Sequence, residues 1–132
     1  MSGGKLRVRY SERLARQLAE LKEKAEKNPA GRDATAYRTF ANLFKERLVD
    51  PQIAFDVQYA LRDDLKPTRR VRHGRLRVFY IASTKHKAVI GLMIGYRKEG
   101  HRKDAYRVFK KVVRSGEFDK LYEELEQDPP KD

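Results

Sequence analysis

The chain has no cysteine. That excludes a disulfide framework and any thiolate zinc site. Long apolar runs are also missing, and none approaches the roughly 18 residues that a membrane span needs. The opening Met-Ser-Gly-Gly-Lys is not followed by an apolar stretch of the kind that a secretory signal carries. The expectation is a cytoplasmic protein without a membrane partner. Several catalytic signatures are absent too. There is no glycine-rich loop ending in Lys-Ser or Lys-Thr, and no His-Glu-x-x-His pair. No cluster of carboxylates is placed to hold two divalent ions. Acid is scarce where base is dense. Between Lys66 and Arg114 only Glu99 and Asp104 are acidic. Metal-dependent chemistry on a nucleic acid is therefore disfavoured, and no cofactor is expected.

What that segment holds instead is sixteen Lys or Arg, a formal charge of +14 within 49 residues. The rest of the chain sums to −2, so the net +12 resides in one block. Such a block repels itself unless an apolar framework holds it, and its natural counterpart is a polyanion. His73, His86 and His101, the only histidines, lie in the same block. At 132 residues the chain is most simply one domain, 1–132, with residues 1–4 and 128–132 expected to be disordered.

Periodicity outlines the elements. Leu6, Val8 and Tyr10 alternate with Lys5, Arg7 and Arg9, a short first strand. Ser11 can cap a helix over 12–27, whose Leu14, Leu18, Leu21 and Ala25 recur at helical spacing. Asn28-Pro29-Ala30-Gly31 ends it. A second helix is predicted over 34–48, capped by Asp33, with Tyr37, Phe40, Ala41, Phe44 and Leu48 inward. Residues 52–65 read as an irregular connection. Strands follow at 69–72, 76–82 and 87–96, the last a near-continuous apolar run typical of a central buried strand. Helices are predicted over 103–114 and 118–127. The fold class is α+β, ordered β-α-α-β-β-β-α-α. It implies an antiparallel-rich four-stranded sheet with an N-terminal helical hairpin and C-terminal helices.

Metal-free RNA cleavage requires parts that this block supplies. The 2′-hydroxyl attacks the adjacent phosphate, a base takes its proton, cations hold the phosphorane and an acid protonates the departing 5′-oxygen. Arginine suits the phosphate because its planar fork donates two hydrogen bonds and keeps its charge. Lys, His and Tyr can carry protons. On the third strand Arg75, Arg77 and Phe79 are expected on one, open face, and Leu76, Val78 and Tyr80 on the core face. Residues two apart on a strand lie roughly 6–7 Å apart, which matches adjacent phosphates. Arg70 and Arg72 would share a face of the preceding strand. The loop of Arg97, Lys98, Glu99, Gly100, His101, Arg102 and Lys103 precedes a helix N-terminus, a setting suited to phosphate.

Three stretches carry a resemblance: Gly74-Arg75-Leu76-Arg77-Val78-Phe79-Tyr80, Lys87 to Met93, and Lys103-Asp104-Ala105-Tyr106-Arg107-Val108-Phe109 with Arg114-Ser115-Gly116. Together they resemble the YhaV family, toxins of bacterial type II toxin–antitoxin pairs within the RelE-like ribonuclease superfamily. The resemblance implies a RelE-like fold and a cytoplasmic mRNA endoribonuclease that acts on or with the ribosome. It also implies a cognate antitoxin of the PrlF type, with an AbrB-like DNA-binding domain. By the same resemblance, Arg77 is the strand arginine and Tyr106 the helix tyrosine of the cleavage site. Arg97 is the second arginine, with Arg102 as the alternative. The paired strand lysines of some members stand here as Arg70 and Arg72, which moves the base role to His101, Lys103 or Tyr106. Segment 50–68 departs from the family pattern.

Set against this is a non-catalytic RNA- or DNA-binding domain, in which Arg70, Arg72, Arg75, Lys98 and Arg102 only neutralise phosphates. The stripe of Tyr37, Phe40 and Phe44 reads as core. The acidic stretch from Glu117 to Asp132, with seven acids and two basic residues, reads as a solvated helix that could screen the basic face.

Overall fold

The computed structural model describes residues 4–62, 65 and 67–129. Residues 1–3 and 130–132, most of the ends expected to be disordered, lie outside the described residues. The order is β1 (Arg7–Tyr10), α1 (Glu12–Lys27), α2 (Arg32–Asn42), α3 (Pro51–Ala54), β2 (Arg69–His73), β3 (Leu76–Ser83), β4 (Ala88–Tyr96), α4 (Ala105–Arg114) and α5 (Asp119–Glu126). The strands form one mixed sheet in the spatial order β1-β4-β3-β2. β2, β3 and β4 make an antiparallel meander, while β1 runs parallel to β4. The α+β class and the four strands are as expected.

Strand β4 is buried along most of its length because helices cover both faces of the sheet. On one face Leu14, Leu21, Phe40 and Phe44 of the N-terminal helical unit pack on Leu76, Val78, Tyr80 and Val89. On the other, Phe109, Val112 and Phe118 pack on Phe79, Ile81, Ile90 and Leu92. This corrects one expectation. Leu76 and Val78 do face the core, but Phe79 is no part of an open face; it is fully buried. The apolar side of α4 has to be covered, and it lands on Phe79, whose ring stacks on Phe109 at 4.1 Å. A register shift between Phe79 and Tyr80 marks the change in β3. The face stays open only beyond Phe79, at the Arg77 end.

Ser11 caps α1 as expected, accepting from the Leu14 amide at 3.0 Å, and it also donates to the Leu92 carbonyl at 2.6 Å. Gln17 extends the edge of β4. Its side-chain amide donates to the Ile94 carbonyl and its carbonyl accepts from the Ile94 amide, both at 2.9 Å. These bonds satisfy backbone groups beyond the reach of the four-residue β1.

The second helix differs from its predicted bounds. Gly31, not Asp33, is its N-cap, and Asp33 sits in the first turn, where a carboxylate suits the positive helix end. After Asn42 the helix widens into a π turn over Leu43–Arg47, with the Leu48 amide reaching back to the Leu43 carbonyl at 2.8 Å. The widened turn brings Leu43, Phe44 and Leu48 all into the core. The connection read as irregular holds α3, capped by Asp50 ahead of Pro51, and a 3₁₀ turn at Val57–Tyr59.

Gly91 of β4 lies where α1 crosses the sheet. A methyl group there would clash with Leu14 Cδ2 and stand 3.1 Å from Phe44 Cζ. Gly91→Ala is expected to lower unfolding free energy by about 1–3 kcal/mol through overpacking. Urea denaturation measures this, and an unchanged midpoint would refute the close approach.

Candidate active site

The site is assembled where β4 ends and α4 begins. Gly95 lets the helix start close to the strand: a Cβ at that position would lie 3.0 Å from Ala105 Cβ and 3.3 Å from its Cα. Between them, residues 97–104 fold back onto one buried carboxylate. Asp104 is the N-cap of α4 and is 2% exposed. It accepts from the Lys98 amide at 2.6 Å, from the Tyr106 amide at 3.1 Å and from Arg97 Nη1 at 2.7 Å. Arg97 Nη2 donates to Glu99 at 3.2 Å. Burial pushes the Asp104 carboxyl up, but the two backbone amides and the Arg97 guanidinium outweigh it and hold the group below its ordinary value.

Tyr106 follows in the first turn of α4. The edge of its ring meets Phe79, with centroids 5.6 Å apart at 89°. Two guanidinium groups lie near the same ring, Arg97 at 5.0 Å and Arg70 at 5.9 Å from its centre. Arg70 Nη1 donates to the Tyr106 hydroxyl at 2.9 Å. Arg77 donates through Nη1 to the Gly74 carbonyl at 2.7 Å and the Leu76 carbonyl at 3.1 Å. The Nε atoms of Arg70 and Arg77 are both buried and have no hydrogen-bond partner among the described residues. A buried donor left unpaired is unfavourable.

An open cleft of about 790 Å³ collects these groups. Arg70, Arg72, Arg77, Arg97, Tyr106 and Lys110 line it, with Glu99 and Leu65. Five residues singled out in the sequence, Arg70, Arg72, Arg77, Arg97 and Tyr106, are thus brought together. Others are not. Arg75 stands in the exposed turn between β2 and β3, so it does not share the Arg77 face; it lines a different hollow, together with Lys98. His101, Arg102 and Lys103 are exposed loop residues outside the lining. His101 is engaged within its own loop, where Nδ1 accepts from the Lys103 amide at 3.0 Å. Lys110 went unnoticed in the sequence although the signal was there: it is four residues after Tyr106, one helical turn along the same face.

The arrangement is a cationic cleft with one phenol, chemically able to hold a phosphate beside a group that can exchange a proton. Its fold is similar to that of the toxin–antitoxin complex RelBE2 from Mycobacterium tuberculosis. The TM-score is 0.55 and the identity 21%, over 73% of this chain and 95% of that one. The fold class is thereby RelE-like. The family model of YhaV toxins, described as a toxin with endonuclease activity of a toxin–antitoxin system, matches residues 5–129, and the chain belongs to that family. It is an endonuclease toxin whose partner is a cognate antitoxin. No curated protein matches the chain. Among the described residues no helix is long and apolar enough to cross a membrane, and no group of three or more His, Asp or Glu could hold a metal ion.

Asp104→Asn keeps a cap but loses the charged bond to Arg97. It is expected to destabilise the fold by about 1–3 kcal/mol near neutral pH. The folded carboxyl sits below its ordinary 3.8. Its contribution is therefore complete above that value and is lost as pH falls through the lower, folded one. In thermal melts across an acid titration the gap between wild type and variant should close on the acid side. A gap that stays constant with pH would contradict the assignment.

Proposed function

We propose that the chain is a metal-independent endoribonuclease that cuts mRNA in the cytoplasm in association with the ribosome. We further propose that an antitoxin of the PrlF type, with an AbrB-like domain, silences it by covering the cleft. The observation that carries this reading is the bond from Arg70 to the Tyr106 hydroxyl, made inside a cleft where Arg77 and Arg97 also converge.

In the proposed reaction the scissile phosphate sits against Arg70 and Arg77, whose guanidinium groups line the cleft and become its donors. The RNA 2′-oxygen attacks phosphorus and its proton passes to a base. The 5′-oxygen leaves with a proton from an acid. The products are a 2′,3′-cyclic phosphate and a 5′-hydroxyl. Tyr106, Lys110 and Glu99 are the lining groups that can give or take protons; Glu99 is engaged by Arg97 at 3.2 Å, and we assign the two transfers to Tyr106 and Lys110. His101 and Lys103 receive no part in it, because they stand outside the cleft. Arg97 stabilises the added charge of the phosphorane while Asp104 holds it in place. Among the described residues the single carboxylate of the lining, Glu99, stands among five cations, a poor setting for a divalent ion and a good one for a polyanion.

The test is end-mapping of free and translated mRNA incubated with the purified chain, with and without chelator. Arg77→Ala and Tyr106→Phe are each expected to reduce cleavage about 10²-fold or more. Tyr106→Phe retains the ring that packs on Phe79, so its fold should survive. Chelator should have no effect. Full activity in Tyr106→Phe would leave only a phosphate-binding role for this site, and loss of cleavage with chelator would overturn the metal-free mechanism.

A further inference from the structure

A second cationic surface lies beside α2, on the face of the sheet opposite the one that α4 covers. Two hollows of about 400 and 330 Å³ adjoin there, and Thr39 and His73 line both. One wall is α2 with the π turn after it, and carries Arg32, Arg38 and Arg47. The other is the β2–β3 hairpin with the end of β4, and carries Arg72, Arg75 and Lys98. All six side chains are exposed. Among the described residues none of the six pairs with an acid, and no acid lines either hollow. Asp33 and Glu46, the acids of the same helical stretch, stand outside the lining. From Arg32 to Arg47 the helical wall runs roughly 20 Å, long enough to follow several consecutive phosphates.

The uncharged part of this groove decides what kind of polyanion fits. Its apolar residues, among them Ala36, Leu43, Leu76 and Val78, are buried in the floor. Tyr10 and Val57, the large apolar residues that stand exposed among those described, lie elsewhere. A protein partner would find no apolar or aromatic anchor here. A single strand is held by several rings on which successive bases stack. The ring of Tyr96 is occupied by the Arg32 guanidinium at 4.5 Å, which leaves His73 as the one exposed ring of the lining among the described residues. What lies between the cations is Thr35, Thr39 and Asn42, two hydroxyls and an amide. A paired RNA helix turns its bases inward and presents phosphates and 2′-hydroxyls, which match that set.

We propose that this groove seats the sugar–phosphate backbone of double-helical RNA, with the arginines and Lys98 on phosphates and Thr35, Thr39 and Asn42 on 2′-hydroxyls. The contact reads backbone and not base sequence. It goes beyond the cleavage reading and does not depend on it, because the groove lies across the sheet from the groups that carry the reaction. A chain that grips a paired region with this face keeps the cleft free for an unpaired strand.

The test measures fluorescence anisotropy of the full chain with a short, fully paired RNA duplex of mixed sequence, over a salt series. The same sequence as a DNA duplex, its single RNA strand and polyglutamate serve as competitors. Duplex RNA should bind tightest, with affinity falling log-linearly with salt. Arg38→Ala combined with Arg47→Ala should reduce the salt slope by about 2 and weaken duplex binding about tenfold. Both arginines are exposed and outside the cleft, so the double variant should cut a short single-stranded RNA as the wild type does. Thr39→Val should narrow the preference for RNA over DNA duplex, since it removes a hydroxyl that faces the 2′-position. Unchanged duplex affinity in the double variant would overturn the proposal. So would equal binding of polyglutamate, or duplex binding lost in Arg77→Ala and kept in the double variant. A wild type that binds duplex RNA and cuts none defeats the ribonuclease reading alone. One that cuts RNA and ignores the duplex defeats this inference alone.

Discussion

One buried carboxylate ties the functional end of the molecule together. Asp104 ends the loop after β4, caps α4 and fixes the Arg97 guanidinium. Each of these tasks alone has substitutes. Combined in one residue, they make the position of Arg97 depend on that of Tyr106, because both hang from the same two oxygens. The Tyr106 amide and the Arg97 Nη1 share Oδ2, so the arginine and the tyrosine are set within one hydrogen-bond shell of each other. Seven residues of loop then need little further order of their own. Gly95 adds the second constraint by letting the helix start against the strand, which brings that shell down onto the sheet.

The cleft exists because the cover on that face is incomplete. Helices α4 and α5 bury the sheet from Phe79 onward but leave the Arg77 end and the edge strand β2 uncovered. The acidic C-terminal stretch is used elsewhere. Glu117 pairs with Arg13 at 2.7 Å, Glu124 with Arg9 at 3.3 Å and Asp128 with Lys85 at 3.7 Å. Exposed pairs of this kind add little stability. Their consequence is spatial: the acids of that stretch neutralise cations on the β1 side and leave the cleft charge standing. A screening role toward the cleft, one reading open from the sequence, has no contact to support it among the described residues.

Much of this was legible in the chain because alternation and helical spacing record burial directly. Ser11, Leu14 and the apolar run of β4 announce their places, and Arg77, Arg97 and Tyr106 fall into one cleft. What could not be read was which face of β3 a later helix would cover. Alternation assigned Phe79 to the side of Arg77, and the two do share a side. It could not reveal that α4 returns across that side and stops short of Arg77. The π turn at Leu43–Arg47 was hidden for a similar reason: it serves three buried side chains at once, a tertiary demand that overrides local helical spacing. Arg75 was misplaced because a turn residue follows the turn and not the alternation of the strand beside it.

Energetically the cleft is an unfinished site. Among the described residues Arg70, Arg72, Arg77, Arg97 and Lys110 stand around one hollow with only Glu99 as an acid, and two buried guanidinium donors are unpaired. Mutual repulsion and unsatisfied donors both disfavour the empty state. The stacked pair of Phe79 and Phe109 and the bonds of Asp104 are what hold the groups in place against that tendency. On the proposed reaction, the same arrangement favours the transition state over the bound substrate. The phosphorane carries one more negative charge than the diester, so donors already fixed around the phosphorus gain most at the moment of attack. The repulsion that makes the empty cleft unfavourable is then relieved progressively as charge develops on the phosphate. On the same proposal, a partner that presents carboxylates to these donors would relieve it too, without any chemistry, and an antitoxin would compete with RNA for the cleft on that basis.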